Sequence, residues 1–399
     1  MNGTIYMPVG EVCSSISDTY REKKNMVTLI NTSDVLEGRV LNHERVPNSN
    51  LKGQFKKTFQ RDDILYSEIR PQNRRFAYVD FSPIDYIAST KLMVIRAKKD
   101  VVSPKYLYYF LKNSSTVAEL QLLAETRSGT FPQITFSEVA NLTIPVPSLA
   151  VQEVIVQTMQ CLEDKTICNE QINDNLQRQL RTIFKAEFTD NSELEKMTQI
   201  PLSELCHVVT KGTTPTTLGK PFVESGIIFI KAESILADHS LDKSKFAFID
   251  EETNALLKRS VIHAGDIVFT IAGTLGRFAL IDDNALPANT NQAVAIIRAD
   301  AEKVLPEYIY TCFIGEWHTD YYAKRVQQAV QANLSLTTIK SLPIPVLDKA
   351  KMDEYLRLIL PLIKAIKGNE AQNEKLAALR DALLPKLMSG EIDVSAVQL

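Results

Sequence analysis

Apolar positions fall into two long stripes. Ile155, Leu162, Ile172, Leu176, Leu180 and Ile183 recur mainly at three- and four-residue steps. Leu356, Ile359, Ile363 and Ile366, and then Leu376, Leu379, Leu383 and Leu387, do the same about 200 residues later. Such spacing puts one narrow apolar seam on each of two helices, predicted over about 150–188 and 350–388. The second stripe loses phase near Gly368, and Pro361 is expected to kink that helix or mark a later start. Ahead of each helix, short strand-like runs such as Ile227 to Ile230, Asp266 to Ile271 and Ala293 to Ile297 mix with helical stretches. Turn residues punctuate them at Pro47-Asn48, Pro71-Gln72-Asn73, Gly212 and Pro287, so each region reads as a compact α+β domain.

The stripes are part of a larger repetition. ITFSEVANLTIPVP at 134–147 precedes LSLTTIKSLPIPVL at 334–347 by 200 residues, and VTLINTSDVLEGRVL at 27–41 matches IIFIKAESILADHSL at 227–241 at the same offset. DDILYSEI at 62–69 parallels GDIVFTIA at 265–272, SPKYLYYFL at 103–111 parallels LPEYIYTCFI at 305–314, and NEQIN at 169–173 parallels NEAQN at 369–373. Five matches in one order mean that the chain is written twice. The expected partition is an α+β domain at 1–149, a long helix at 150–189, a second α+β domain at 190–347, a second long helix at 348–390 and a tail at 391–399.

If the copies are related by a pseudo-two-fold axis, the two helices pack antiparallel as a coiled coil and their midpoints meet. Asn169 is then expected to face Asn373, and Asn173 to face Asn369, as polar pins of register in an apolar seam. A helix of this size would be about 57 Å long at 1.5 Å per residue, which suits it to hold two domains a fixed distance apart.

Composition narrows the function. With 45% hydrophobic and 23% charged residues the 399-residue chain is of globular type, and its net charge is −3. No run of about 18 uncharged apolar residues suggests a membrane span, and the start lacks the pattern of a secretory signal. Cys13, Cys161, Cys168, Cys206 and Cys312 form no C-x-x-C pair and read as reduced thiols of a cytoplasmic protein. Catalytic signatures are missing. There is no G-x-G turn, no pair of adjacent prolines, and His43, His207, His239, His263 and His318 are scattered without ligand spacing, so no metal is expected. KGTTPTTLGK at 211–220 fails as a phosphate loop because its glycines are too far apart and Pro221 follows the lysine. Positive charge gathers between Arg39 and Arg75, where Arg39, Arg45, Lys52, Lys56, Lys57, Arg61, Arg70, Arg74 and Arg75 outnumber Glu44, Asp62, Asp63 and Glu68. Two equal halves without chemistry suit a device that presents equivalent surfaces to two half-sites.

The sequence resembles the specificity (S) subunit of Type I restriction-modification systems over essentially its whole length. The resemblance is carried by ANLTIPVPSLAVQE (140–153), QANLSLTTIKSLPIPV (331–346), AGDIVFTIAGTLGRFAL (264–280), NQAVAIIR (291–298) and LLPKLMSGEIDV (383–394), with KGTTPT (211–216) similar to an early Gly-Thr-Pro turn. It implies a non-catalytic subunit that reads a bipartite double-stranded DNA target with two recognition domains. It implies helices that set the unread spacer and dock two modification (methyltransferase) subunits, which restriction (nuclease/translocase) subunits can join. S-adenosylmethionine, ATP and Mg²⁺ are then expected on those partners, with no cofactor in this chain. The first copy departs from the pattern by reading SSISDTYREKKNM after Cys13, and the second domain carries acidic groups at Asp250-Glu251-Glu252 and Asp282-Asp283.

Base reading needs side chains with paired donors and acceptors on reachable loops. In the first copy Arg70, Gln72, Asn73, Arg74 and Arg75 form one such turn, Lys56 and Lys57 suit phosphate, and Arg127 with Gln133 bounds a further segment. In the second copy the expected contacts are Lys211, Thr213, Thr214, Lys220, Lys231, Arg277, Asn291, Gln292, Gln331 and Asn333. A specificity module of a different modification system, and an interaction scaffold that binds no DNA, remain open as alternatives at this point.

Overall fold

The computed structural model describes residues 4–22, 24–49, 53–127, 130–190, 197–326 and 333–394. It forms two compact units, Met1–Thr166 together with Glu374–Leu399, and Ile167–Asn373. Each repeats the same α+β plan. In the first unit a four-stranded antiparallel sheet has the order Cys13–Ile16, Leu92–Ala97, Ile64–Ser67, Phe76–Tyr78. In the second the order is Cys206–Lys211, Val294–Ala299, Ile267–Thr270, Phe278–Leu280. A second sheet in each unit contains a parallel pair, Met26–Ile30 with Tyr86–Ser89 and Ile227–Ile230 with Ala288–Thr290.

Each repeated Ile-Pro-Val run enters a two-stranded antiparallel ribbon, Ile5–Pro8 with Thr143–Val146 and Gln199–Pro201 with Pro343–Pro345. Proline cannot donate to a ladder, but its carbonyl still accepts. Tyr106 Oη donates to Pro145 O at 2.8 Å and Tyr308 Oη to Pro345 O at 2.7 Å, both among buried groups. These bonds fasten helices Pro104–Lys112 and Pro306–Ile314 to the ribbons, satisfying phenols that would otherwise be unpaired in the core.

The main sheets carry a matching buried ion pair. Arg96 Nε and Nη2 donate to the two carboxylate oxygens of Asp63, each at 2.7 Å. Arg298 does the same to Asp266, again at 2.7 Å for both bonds. Both aspartate side chains are fully buried. Each also accepts a main-chain N–H, from Gln60 and from His263, so the pair locks a turn to two strands.

The two long helices span Leu149–Phe188 and Lys349–Ser389, and each unit holds a stretch of both. In the first unit Ile155, Val156 and Met159 share a core with Leu384, Leu387 and Met388. In the second, Leu180, Phe184 and Phe188 share one with Tyr355, Ile359, Ile363 and Ile366. Two expectations need correction. The second helix continues through Pro361 and Gly368, so Pro361 does not mark a later start. Pro361 is exposed, and buried Ile359 and Ile363 flank it, so the carbonyl it leaves unpaired can turn to water. Ile172 and Leu379 are 39% and 45% exposed, so they leave the seam. Asn169 and Gln177 are buried in this stretch instead.

There the helices run antiparallel. Asn169 Nδ2 donates to Asn373 Oδ1 at 2.7 Å and to Gln372 Oε1 at 2.8 Å, while Asn369 Nδ2 donates to Asn173 Oδ1 at 2.7 Å. Asn169 is completely buried. Its replacement by alanine leaves the half-buried Asn373 Oδ1 without its donor, whereas the exposed Gln372 can turn to water and Asn169 Oδ1 accepts no bond among the described residues, so Asn169→Ala is expected to cost about 1 kcal/mol. Urea unfolding would measure this, and an unchanged midpoint would remove Asn169 from the interactions that hold the helices in register.

Candidate nucleic-acid interface

In the first unit the fold brings two of the expected segments together. The turn Pro71–Asn73 is flanked by Arg70 and Arg74, both with left-handed backbone at φ +43° and +51°. Non-glycine residues in this region carry strain of order 1 kcal/mol each, which persists where surrounding bonds hold it. Those bonds are Arg70 N–H to Pro132 O at 3.1 Å and Gln72 N–H to Gln121 Oε1 at 3.2 Å. Ile69 and Gln133 form a β-bridge, so the 70–75 turn lies beside the 130–133 segment. Arg70, Gln72 and Asn73 are exposed, whereas Arg74 and Arg75 are half-buried. Arg74 Nη2 donates to Ser114 Oγ at 2.9 Å and Arg75 Nη1 to Ser33 O at 3.0 Å, so both guanidiniums brace the turn. Arg127 is paired with Glu138 at 2.7 Å.

Lys56 and Lys57 lie on strand Phe55–Lys57 in the other sheet. Lys56 is exposed. Lys57 Nζ donates to Thr90 O at 3.1 Å and Leu92 O at 2.8 Å, and burial lowers its pKa. An ammonium held by two carbonyls in this way serves the fold.

In the second unit Lys211, Thr213 and Thr214 converge with Asn291 and Gln292. Gly212 N–H donates to Asn291 O at 3.0 Å. A Cβ at Gly212 would stand 1.8 Å from Thr290 O, so no other residue permits this approach of two backbones. Lys220 is paired with Glu252 at 2.7 Å, which raises the lysine pKa, and Lys231 with Glu233 at 2.8 Å. The Lys231 ammonium also stands 6.0 Å from the Phe222 ring centroid. Arg277 Nη1 donates to Ile235 O at 3.2 Å. Asn333 is exposed, and the next residue donates its N–H to Ile271 O at 2.9 Å. Gln331, like Lys52, Ser128 and Gly129 of the segments named above, lies outside the described residues.

The acidic groups of this domain have local tasks. Asp250 caps helix Glu251–Leu256 by accepting from Thr253 N–H at 2.7 Å. Asp282 caps the following turn by accepting from Asn284 N–H at 3.0 Å. A negative residue at a helix start is favourable whatever the domain binds.

The Asp63–Arg96 and Asp266–Arg298 pairs were not singled out from the sequence, although a signal existed. Asp-Ile occurs at 63–64 and 266–267, and Ile-Arg at 95–96 and 297–298, at matching places in the repeat. No group of three or more His, Cys, Asp or Glu residues that could hold a metal occurs among the described residues. Among them, too, no helix is long and apolar enough to cross a membrane.

Two copies of one α+β domain, joined by long helices, define a tandem-repeat protein. A family model for the Type I restriction modification DNA specificity domain matches residues 6–178 and again 195–376. The Type I restriction enzyme HindI specificity subunit of Haemophilus influenzae is 28% identical over 446 residues, covering 92% of this chain and 94% of that protein. The MjaIX specificity subunit of Methanocaldococcus jannaschii is 24% identical over 340 residues, covering 78% and 76%. The crystal structure of the Type I restriction-modification S subunit from M. genitalium shares the fold, with a TM-score of 0.51 at 14% identity over 98% of this chain and 97% of that one. The chain belongs to the Type I restriction-modification DNA specificity subunits, the non-catalytic members of those systems.

Proposed function

We propose that each recognition domain reads one half of a bipartite double-stranded DNA target, with the boundaries 1–149 and 190–347. On this reading the helices at 150–189 and 348–390 set the unread spacer and dock two methyltransferase subunits. Restriction subunits join that assembly, and S-adenosylmethionine, ATP and Mg²⁺ belong to the partners. The site of action is the cytoplasm, where the DNA is. One observation carries the reading: the same fold occurs twice, yet the loops that bear amide and basic side chains differ between copies. Divergent loops on equal frames suit two different half-sites.

The test is to sequence DNA from cells expressing this chain with its methyltransferase and to map N6-methyladenine. A two-part motif with a constant gap, lost on deletion of this chain, is expected. Methylation that persists without it would overturn the proposal.

Phosphate contact in the first domain falls to Arg70, whose side chain is exposed while its neighbours brace the turn. Arg70→Ala is expected to weaken binding on all sequences and reduce the slope of log K against log[salt] by about 1. An unchanged slope would take Arg70 out of the interface. Arg75→Ala should instead loosen the turn, because it removes the donor to Ser33 O.

A further inference from the structure

Gln292 stands among the residues whose type suits base reading, but its geometry gives it other work. Its Oε1 accepts the main-chain N–H of Thr214 at 3.1 Å and also the Thr214 hydroxyl. The carboxamide oxygen therefore closes a bracket between the segment after strand Ala288–Thr290 and the segment after strand Cys206–Lys211. Two further features make the bracket stiff. Gly212 N–H donates to Asn291 O at 3.0 Å, at an approach only glycine allows. Beyond Thr214 the chain turns on itself: Thr217 Oγ1 donates to Thr214 O at 2.7 Å, Lys220 N–H donates to Pro215 O at 3.1 Å, and Gly219 is left-handed at φ +71°.

This fixed turn displays Thr216, Thr217 and Leu218 to solvent, Leu218 being 49% exposed. Hydroxyls and an apolar tip are groups that contact base edges and the thymine methyl. A loop that reads bases must hold its side chains to within about half an ångström, and such order comes from supporting bonds behind the reading groups.

We propose that Gln292 is a positioning residue for the second half-site: it fixes the 213–218 turn through its acceptor oxygen, and the turn makes the sequence-reading contacts. The proposal rests on the DNA-reading function given above. Only the oxygen is needed for this role. Gln292→Glu keeps an acceptor for both Thr214 donors, whereas Gln292→Ala removes it. If Gln292 instead read a base through its amide, both variants would lose the donor.

The experiment selects from a pool of duplexes randomised in both half-sites, using the full-length chain assembled with its methyltransferase subunits. The first half-site, read by the other domain, is the internal control. For Gln292→Ala, discrimination against single mismatches in the second half-site is expected to fall roughly tenfold, with the first half-site unchanged. Gln292→Glu should retain the wild-type second half-site even though its added charge weakens binding to every duplex. An unchanged motif in Gln292→Ala overturns the proposal. So does a Gln292→Glu motif as relaxed as that of Gln292→Ala, which would make the residue a direct base contact. Relaxation of both half-sites together would mark general damage to the fold and overturns it equally. Failure of the wild-type complex to select any two-part motif would instead refute the DNA-reading function itself.

Discussion

Asp266→Ala is expected to destabilise the second unit by about 3 kcal/mol and to lower its melting temperature by roughly 6–12 °C. The buried carboxylate accepts two guanidinium N–H groups of Arg298 at 2.7 Å and the His263 main-chain N–H at 2.8 Å. Truncation leaves an amide without an acceptor and a guanidinium whose side chain is only 26% exposed without its counter-charge. Removing one partner of a buried ion pair costs more than replacing both, because the remaining charge is desolvated and unpaired. A double variant, Asp266→Ala with Arg298→Met, should therefore be more stable than the sum of the single losses predicts. Asp63→Ala is the matching experiment in the first unit, where Gln60 N–H takes the place of His263. Calorimetric scans would decide it. A wild-type transition in Asp266→Ala would show that the pair contributes nothing.

Mild acid is expected to loosen the second unit before the first. His239 and His318 are 8% and 7% exposed in its aromatic core, each packed on Phe278 at ring-centroid distances of 4.0 and 5.9 Å. Burial pushes both pKa values down to about 4, helped by the Arg181 charge at His239 and by His239 itself at His318. A histidine whose folded pKa lies below its unfolded value favours the neutral fold. The fold has its full stability above pH 6.5, loses it as pH falls from there, and stops losing it near pH 4, where the folded form also protonates. A shift of that size amounts to about 3 kcal/mol per imidazole. The only histidine of the first unit, His43, is exposed. Amide protection, taken relative to intrinsic exchange rates that themselves fall in acid, should drop between pH 7.5 and 5 in strands Cys206–Lys211 and Ile267–Thr270 before Cys13–Ile16 and Ile64–Ser67. The variant with His239→Gln and His318→Phe should lose that difference. Equal loss of protection in both units would refute the assignment.

The repeat made the architecture legible from the residues alone. Ile-Pro-Val, Asn-Glu-x-x-Asn and the apolar stripes each occur at a common offset, and two occurrences lift a weak local pattern above chance. What escaped was tertiary. Ile172 fits the helical stripe as well as Leu180 does, and nothing local says that one is half outside the seam while the other is fully buried. Pro361 reads as a helix breaker by its own chemistry, yet flanking isoleucines anchored in the core carry the helix past it. Among the candidate DNA-contact residues, side-chain type alone could not separate an exposed Arg70 from Arg75, which donates to main-chain carbonyls of a distant turn. Likewise Lys57 looks like a phosphate ligand until its carbonyl partners are seen. The Asp–Arg pairs were visible as repeated dipeptides, but only the sheet register brings their members together.

The first unit takes its core from both ends of the chain: Val9 and Val12 pack in the cluster that includes Leu384, Leu387, Met388 and Val394. On a ribosome this reverses the usual order of events. When residue 166 emerges, the amino-terminal unit still lacks one wall, and residues 167–373 must be made before that wall appears, about 10–40 s later at ordinary elongation rates. The second unit is contiguous in sequence and complete first. The apolar faces of Ile155 and Met159 thus wait open during synthesis, which makes the nascent first half the stage at which a chaperone would be needed and at which a premature stop would leave an adhesive fragment.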